Sequence, residues 1–278
     1  MDFRLSDSLQ SLPFFLDPVA LTIGSFSLRW YAVCLLLGFF VALGVLWYRA
    51  GRDSAPCGRS CAIDLAFSVF LGGLLGGRLG FALFYAPELF LSPLSLIMPV
   101  DPVSGAFVGI RGMSFFGALL GSLGALVLFA RVRKQNVWNL SDMLAPVVPL
   151  MIFFGRIGNF INGELYGRVT DVPWGMYFPG ATDSGMLARH PSQLYEAFLE
   201  GFLLFLVLSW IGRKERKRGS ITLLFLGSYA IIRFFVEFVR EPDAGSTLFF
   251  EWMTTGQALA LVLLLTVFVL NRSIRLRN

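Results

Sequence analysis

The sequence predicts an all-α integral membrane protein of seven transmembrane helices, with the N-terminus outside (periplasmic) and the C-terminus cytoplasmic. Three observations lead there. Of 278 residues, 56% are hydrophobic and only 15% charged, where a soluble domain carries about 25% charged residues; mean hydropathy is +0.70. The apolar residues gather into runs of about 20, the length that crosses a bilayer core as a helix. The basic residues gather in every second connection between those runs.

Taken in order, the runs are 30–48, 62–86, 113–130, 143–163, 191–211, 220–238 and 252–270. The first, third and last hold no charge. The others are interrupted, by Asp64 and Arg78, by Arg156, by Glu196 and Glu200, and by Arg233 and Glu237. An odd number of crossings puts the termini on opposite sides. With the N-terminus outside, the cytoplasmic segments hold Arg49, Arg52 and Arg59, then Arg131, Arg133 and Lys134. The third carries Arg213, Lys214, Arg216, Lys217 and Arg218, and the tail carries Arg272, Arg275 and Arg277. The outer side would hold only Arg4, Arg29, Arg111, Arg168, Arg189 and Arg240, and that asymmetry sets the orientation. The longest connections, 87–112 and 163–190, fall outside and are rich in Pro, Gly and aromatics, as interfacial or lid-like segments are. No internal repeat is visible, so the chain reads as one polytopic domain, 1–278. Residues 1–26 hold Asp2, Asp7 and Asp17 and lack a basic n-region followed by an apolar core, so they read as mature protein.

A pI near 9.4 suggests nucleic acid only until the charges are placed. They face the anionic inner leaflet, where they set topology, and no nucleic-acid partner is expected. Three cysteines make no disulfide framework, and Cys57 and Cys61 form a lone CxxxC without a second ligand pair. Neither a zinc site nor any other metal site is expected there; small apolar fillers or incidental thiols fit better.

An arginine at mid-membrane costs roughly 2.5–3.5 kcal/mol on insertion scales and usually marks a functional site. Arg78, Arg156 and Arg233 lie on three different spans. An isolated one could be a structural ion pair or could snorkel to the surface; three together point to function. On the sixth span Tyr229, Arg233, Glu237 and Arg240 fall within an arc of about 80°, and Arg233 and Glu237 are spaced i, i+4 to pair. Polarity is densest in GRIGNFINGELYGR, residues 155–168. There Arg156 and Asn159 are i, i+3 neighbours, Glu164 and Arg168 follow, and Gly163 and Gly167 favour ending the helix and turning. Planar guanidiniums suit a phosphate. The residues alone describe an outward-facing, arginine-lined pocket for an anionic, lipidic ligand.

The stretch 155–168 resembles the signature of the prolipoprotein diacylglyceryl transferase family. The resemblance continues, in order, through LDPVALTIGSFSLRWYA (16–32), GGRLGFALFY (76–85), RGMSFFGALLG (111–121), SDMLAPVVP (141–149), RHPSQLYEAFLEG (189–201) and YAIIRFFVEFVREPD (229–243). It implies an enzyme of the bacterial inner membrane that moves diacylglyceryl from phosphatidylglycerol to the lipobox cysteine of a prolipoprotein. A thioether forms, glycerol phosphate leaves, and no metal or cofactor takes part. Its partners are phosphatidylglycerol, prolipoprotein signal peptides and membrane lipid. By motif, the implied catalytic residues are Tyr31, Arg156, Asn159, Arg233 and Glu237. The implied phosphatidylglycerol site is Arg156, Asn159, Glu164, Gly167 and Arg233, with Arg78 and Arg240; His190 and Tyr229 are further candidates. In this assignment Arg156 and Arg233 take the phosphate, Asn159 and Tyr31 position the headgroup, Glu164 and Glu237 orient the arginines, and Gly167 supplies a turn no side chain can occupy.

One departure stands out. Where many family members read SFHGGL, this chain reads Ser114-Phe115-Phe116-Gly117-Ala118-Leu119, so Phe116 replaces a histidine. The only histidine is His190, expected to cap the fifth span, and Glu237, Glu164 or His190 could substitute as base. The substitution leaves room for a non-catalytic paralogue that binds lipid or signal peptide. A transporter is disfavoured by the lack of paired inverted repeats.

Overall fold

The computed structural model describes residues 7–24, 26–52, 55–91, 112–214, 217–242 and 253–277. Arg4, Arg111, Arg216, Trp252 and most of the 87–112 connection lie outside the described residues. The described chain is mostly helical. A hairpin of β1 (Val19–Ile23) and β2 (Phe26–Arg29) is closed by the Trp30 N–H donating to Pro18 O at 3.0 Å, and it leads into α1 (Trp30–Ala50). There follow α2 (Arg59–Tyr85), α3 (Phe115–Val132), α4 (Val137–Leu144) and α5 (Val148–Ile161). The last three are α6 (Ser192–Ile211), α7 (Ser220–Val236) and α8 (Thr255–Arg277).

Five of these are long and apolar enough to cross a membrane: α1, α2, α3, α6 and α8. Counting α4 and α5 as one bent span makes six. The seven expected runs therefore resolve into five long helices, one broken pair and one short apolar helix of 17 residues, α7. The fourth run is broken at Ala145-Pro146-Val147, between α4 and α5. Pro146 has no N–H to continue the ladder and disfavours helical geometry at Ala145, while Pro149 suits the first turn of α5.

By its contacts the chain divides into two compact units, one of Met1–Ala20, Arg29–Ala42 and Ala145–Asn278, the other of Leu21–Leu28 and Leu43–Leu144. In the second unit α2 and α3 pack through glycine. A Cβ on Gly76 would come within 2.3 Å of Gly117 O, and one on Gly121 within 2.1 Å of Gly72 O, so the backbones touch as small-xxx-small helices do in lipid. Ser114 caps α3 by accepting from Gly117 N at 3.3 Å, and Asp64 pairs with Arg133. Arg78 donates to Gly112 O at 3.4 Å and lies 5.9 Å from the Phe81 ring. Cys57 and Cys61 are joined as a disulfide just before and within the first turn of α2. This corrects the expectation of incidental thiols: the fold brings the two Cα atoms to 5.8 Å, inside the range a disulfide spans.

The first unit has two apolar clusters. Ala145, Leu204, Leu208 and Ile221 tie α6 to α7. Phe160, Met176, Phe178 and Ala181 form the core under the 163–190 connection, with Tyr166 stacked on Phe178 at 5.4 Å. Meanwhile α8 exposes Leu261, Val262, Leu265 and Phe268, a surface suited to lipid rather than water.

Candidate active site

The C-terminus of α5 delivers the first polar group. Gly163, at φ +66°, takes the left-handed turn, Gly163 N–H donates to Phe160 O at 3.0 Å, and Glu164 N–H donates to Asn159 O at 3.1 Å. That is a Schellman ending, and it folds residue 164 back over residue 159. The Asn159 amide therefore donates to Glu164 Oε1 at 2.9 Å, with Asn162 adding a second donor at 3.3 Å. On the other side of Asn159, its Oδ1 accepts from Arg156 Nη1 at 3.5 Å. Tyr31 of α1 lies against this turn, its Cα 3.0 Å from where a Cβ on Gly158 would be.

The centre of the site is Glu196 of α6, wholly buried. One carboxylate oxygen lies 2.5 Å from Arg156 Nε; the other lies 3.3 Å from Arg233 Nη1 and 4.0 Å from Arg240 Nε. One turn on, Glu200 is equally buried and stands 3.9 Å from Arg233 Nη1. Directly after Glu196, α6 becomes a π-helix over Ala197–Leu203, which contains Glu200, a local widening often found at functional sites. It lets Gly201 close onto Phe153 of α5, where a Cβ would meet that backbone at 2.7 Å. Arg156 and Arg233 retain 18% and 12% side-chain exposure, so neither side chain is wholly buried as Glu196 is.

The third wall is the end of α7. Glu237 follows the helix as its C-cap and pairs with Arg233 Nη2 at 2.8 Å. The Thr254 hydroxyl donates to its other oxygen at 3.1 Å. Thr254 also forms a reciprocal capping box with Gln257 at the start of α8, with bonds of 3.0 and 3.2 Å. A Cβ on Gly256 would sit 2.5 Å from the Glu237 carboxyl carbon, so any larger residue there displaces that carboxylate.

The 163–190 connection packs against the site through Arg240. Gly167 pairs with Arg240 in a bridge and donates to His190 O at 2.8 Å. Arg189 is buried between Asp183 at 3.1 Å and Glu241 at 3.4 Å, over the Tyr166 ring at 5.1 Å. The Tyr195 hydroxyl accepts from Trp174 Nε1 at 2.6 Å and lies 3.2 Å from His190 Nδ1. Burial lowers the His190 pKa below its ordinary 6.5, which favours the neutral ring accepting that hydroxyl.

The sequence model of the prolipoprotein diacylglyceryl transferase family matches residues 18–271. The phosphatidylglycerol–prolipoprotein diacylglyceryl transferase of Vibrio vulnificus is 46% identical over 88% of this chain and 86% of its own length. Those of Vibrio cholerae and Photobacterium profundum are 45% and 44% identical, again over 88% of this chain and over 87% and 88% of their own lengths. The chain belongs to the prolipoprotein diacylglyceryl transferase family.

Of the residues that family membership singled out, Arg156, Asn159, Glu164, Arg233, Glu237 and Arg240 gather in the first unit as described, with Tyr31 beside Gly158. Tyr229 packs on the α6–α7 apolar cluster. Arg78 belongs to the second unit. Three expectations are corrected. Arg240 does not extend the polar face of the sixth helix: α7 ends at Val236 and Arg240 lies in the bridge to Gly167. Gly167 is needed for closeness rather than for a turn, since a Cβ would meet Val239 O at 2.5 Å and His190 O at 2.7 Å. His190 does not cap α6, whose N-cap is Pro191 without a side-chain bond. The residues not anticipated as site members are Glu196, Glu200, Thr254 and Gly256. The two glutamates carried a signal: carboxylates at i, i+4 in an apolar span are the natural partners for intramembrane arginines.

Proposed function

We propose that this chain transfers the diacylglyceryl group of phosphatidylglycerol to the lipobox cysteine of a prolipoprotein, releasing glycerol phosphate. The observation that carries this reading is the convergence of three guanidiniums on one buried carboxylate, Glu196, in a chain whose relatives are named for that transfer. The thiolate sulfur attacks the glycerol carbon bonded to phosphate. The sulfur–carbon bond forms, the carbon–oxygen bond breaks, and its electron pair leaves on the phosphate oxygen. Arg156 and Arg233 meet the charge developing on that oxygen and favour the thiolate over the thiol, whose free pKa is about 8.5. Glu196 and Glu237 fix the guanidiniums, so the ligand meets a preset fork rather than two mobile side chains. Asn159 and Tyr31 position the headgroup, and Arg240 and Gly167 close its outer side.

The thiol proton passes to Glu164 in this reading. Glu196, Glu200 and Glu237 are buried beside arginines, whereas Glu164 is exposed on the outer turn and can release a proton to water. This removes the need for a histidine at position 116. The topology follows the positive-inside asymmetry: seven crossings, counting the bent α4–α5 pair and α7 as one each, with the site toward the outer face of the bacterial inner membrane. Phe116, exposed on the first turn of α3, favours a second reading, a paralogue that binds lipid or signal peptide without reacting. The two are separated by peptide-dependent release of glycerol phosphate from phosphatidylglycerol in micelles. Release that requires the peptide thiol supports transfer; lipid binding without release supports the paralogue.

A further inference from the structure

We propose a second lipid site, for an anionic phospholipid that is not a reactant, in a groove between the start of α7 and the end of α8. The groove encloses about 650 Å³, within the roughly 300–1,000 Å³ of ligand sites. Its lining is ordered along the helix axes. Lys217, Arg218 and Asn271 line it near the start of α7 and the end of α8, and Leu223, Leu224 and Val267 line it about one helical turn deeper. A charged rim above an apolar wall matches a phosphate headgroup above its acyl chain.

Charge selects the occupant. The connection 212–219 carries Arg213, Lys214, Arg216, Lys217 and Arg218 against the single acid Glu215. Among the described residues neither Lys217 nor Arg218 is in an ion pair. Basic pockets between membrane helices at the cytoplasmic surface take anionic headgroups; a zwitterionic lipid, with no net charge, would leave the charge of Lys217 and Arg218 uncompensated, whereas an anionic lipid offsets part of it. The groove is separate from the reaction centre: Ser220 and Arg233 lie 13 positions apart on α7, about 20 Å along its axis. The site thus stands independently of the transfer reaction.

The test is photocrosslinking of the detergent-purified full chain with a tail-photoactivatable phosphatidylserine, beside a matched phosphatidylcholine probe. Label should map to peptides containing Leu223, Leu224 or Val267, at least fivefold stronger for the anionic probe. It should drop to the choline level in K217E/R218E and persist in R213A/K214A. Equal labelling of those peptides by both probes overturns the proposal from the wild-type chain alone, even where the variant fails to fold. Loss of label to excess glycerol phosphate also overturns it, assigning the groove to a soluble anion.

Discussion

Arg156 Nε lies 2.5 Å from a carboxylate oxygen of Glu196, and the other oxygen of Glu196 is shared by Arg233 and Arg240. One buried glutamate thus holds guanidiniums from three different segments. Removing one partner of a buried pair leaves the others uncompensated and costs about 3–5 kcal/mol. We expect Glu196→Gln to lower the thermal midpoint in micelles by several degrees and to reduce transfer at least 100-fold. A Glu196→Gln variant with wild-type melting and activity would remove Glu196 from the centre of the site.

Glu200 is the instructive contrast. It is as buried as Glu196, yet its cation Arg233 is 3.9 Å away, against 2.5 Å from Glu196 to Arg156. Glu200→Gln keeps the shape and removes a poorly compensated charge. Activity should stay within about tenfold of wild type, with unchanged or higher thermal stability. A loss as deep as that of Glu196→Gln would show that both carboxylates are needed.

Lysine cannot replace the arginines. Arg156 contacts Glu196 through Nε and Asn159 through Nη1, and one ammonium cannot reproduce that fork. Arg156→Lys and Arg233→Lys should each lower kcat by about 10²–10³ while the protein remains folded, as judged by gel filtration and melting.

Gly256→Ala should act at a distance from the arginines. The new methyl would lie 2.5 Å from the Glu237 carboxyl, forcing it off Arg233. At least a tenfold fall in kcat is expected with α8 retained, since the Thr254–Gln257 capping box does not involve the side chain at 256.

His190 sets a pH dependence of stability. Its folded pKa is lowered by burial, so between that value and about 6.5 the unfolded chain binds more protons. Its contribution is therefore fully present above about pH 6.5 and is lost as pH falls through the folded pKa. Melting midpoints across that window should fall on acidification, and less steeply in His190→Gln. An identical slope in both would place the acid sensitivity elsewhere.

The apolar runs were legible because lipid demands them, and five of the seven became long helices. The break at Pro146 and the early end of α7 were not legible, because both depend on which backbone groups neighbouring segments can satisfy. The Arg156–Asn159 spacing and the Gly163 turn predicted the α5 ending closely, since that geometry is local. Glu196, Thr254 and Gly256 were missed because their roles exist only across helices: each matters through what it touches more than 15 residues away. The Cys57–Cys61 pairing was likewise hidden, since i, i+4 spacing permits a bond without requiring one.

The most direct measurement is the mass of a synthetic lipobox peptide after incubation with the purified chain and phosphatidylglycerol. A gain of one diacylglyceryl group is expected on the cysteine peptide, none on its Cys→Ser counterpart, and a loss of the gain in Arg156→Gln. An unmodified cysteine peptide, with the protein folded and phosphatidylglycerol bound, would contradict transfer and leave a binding protein.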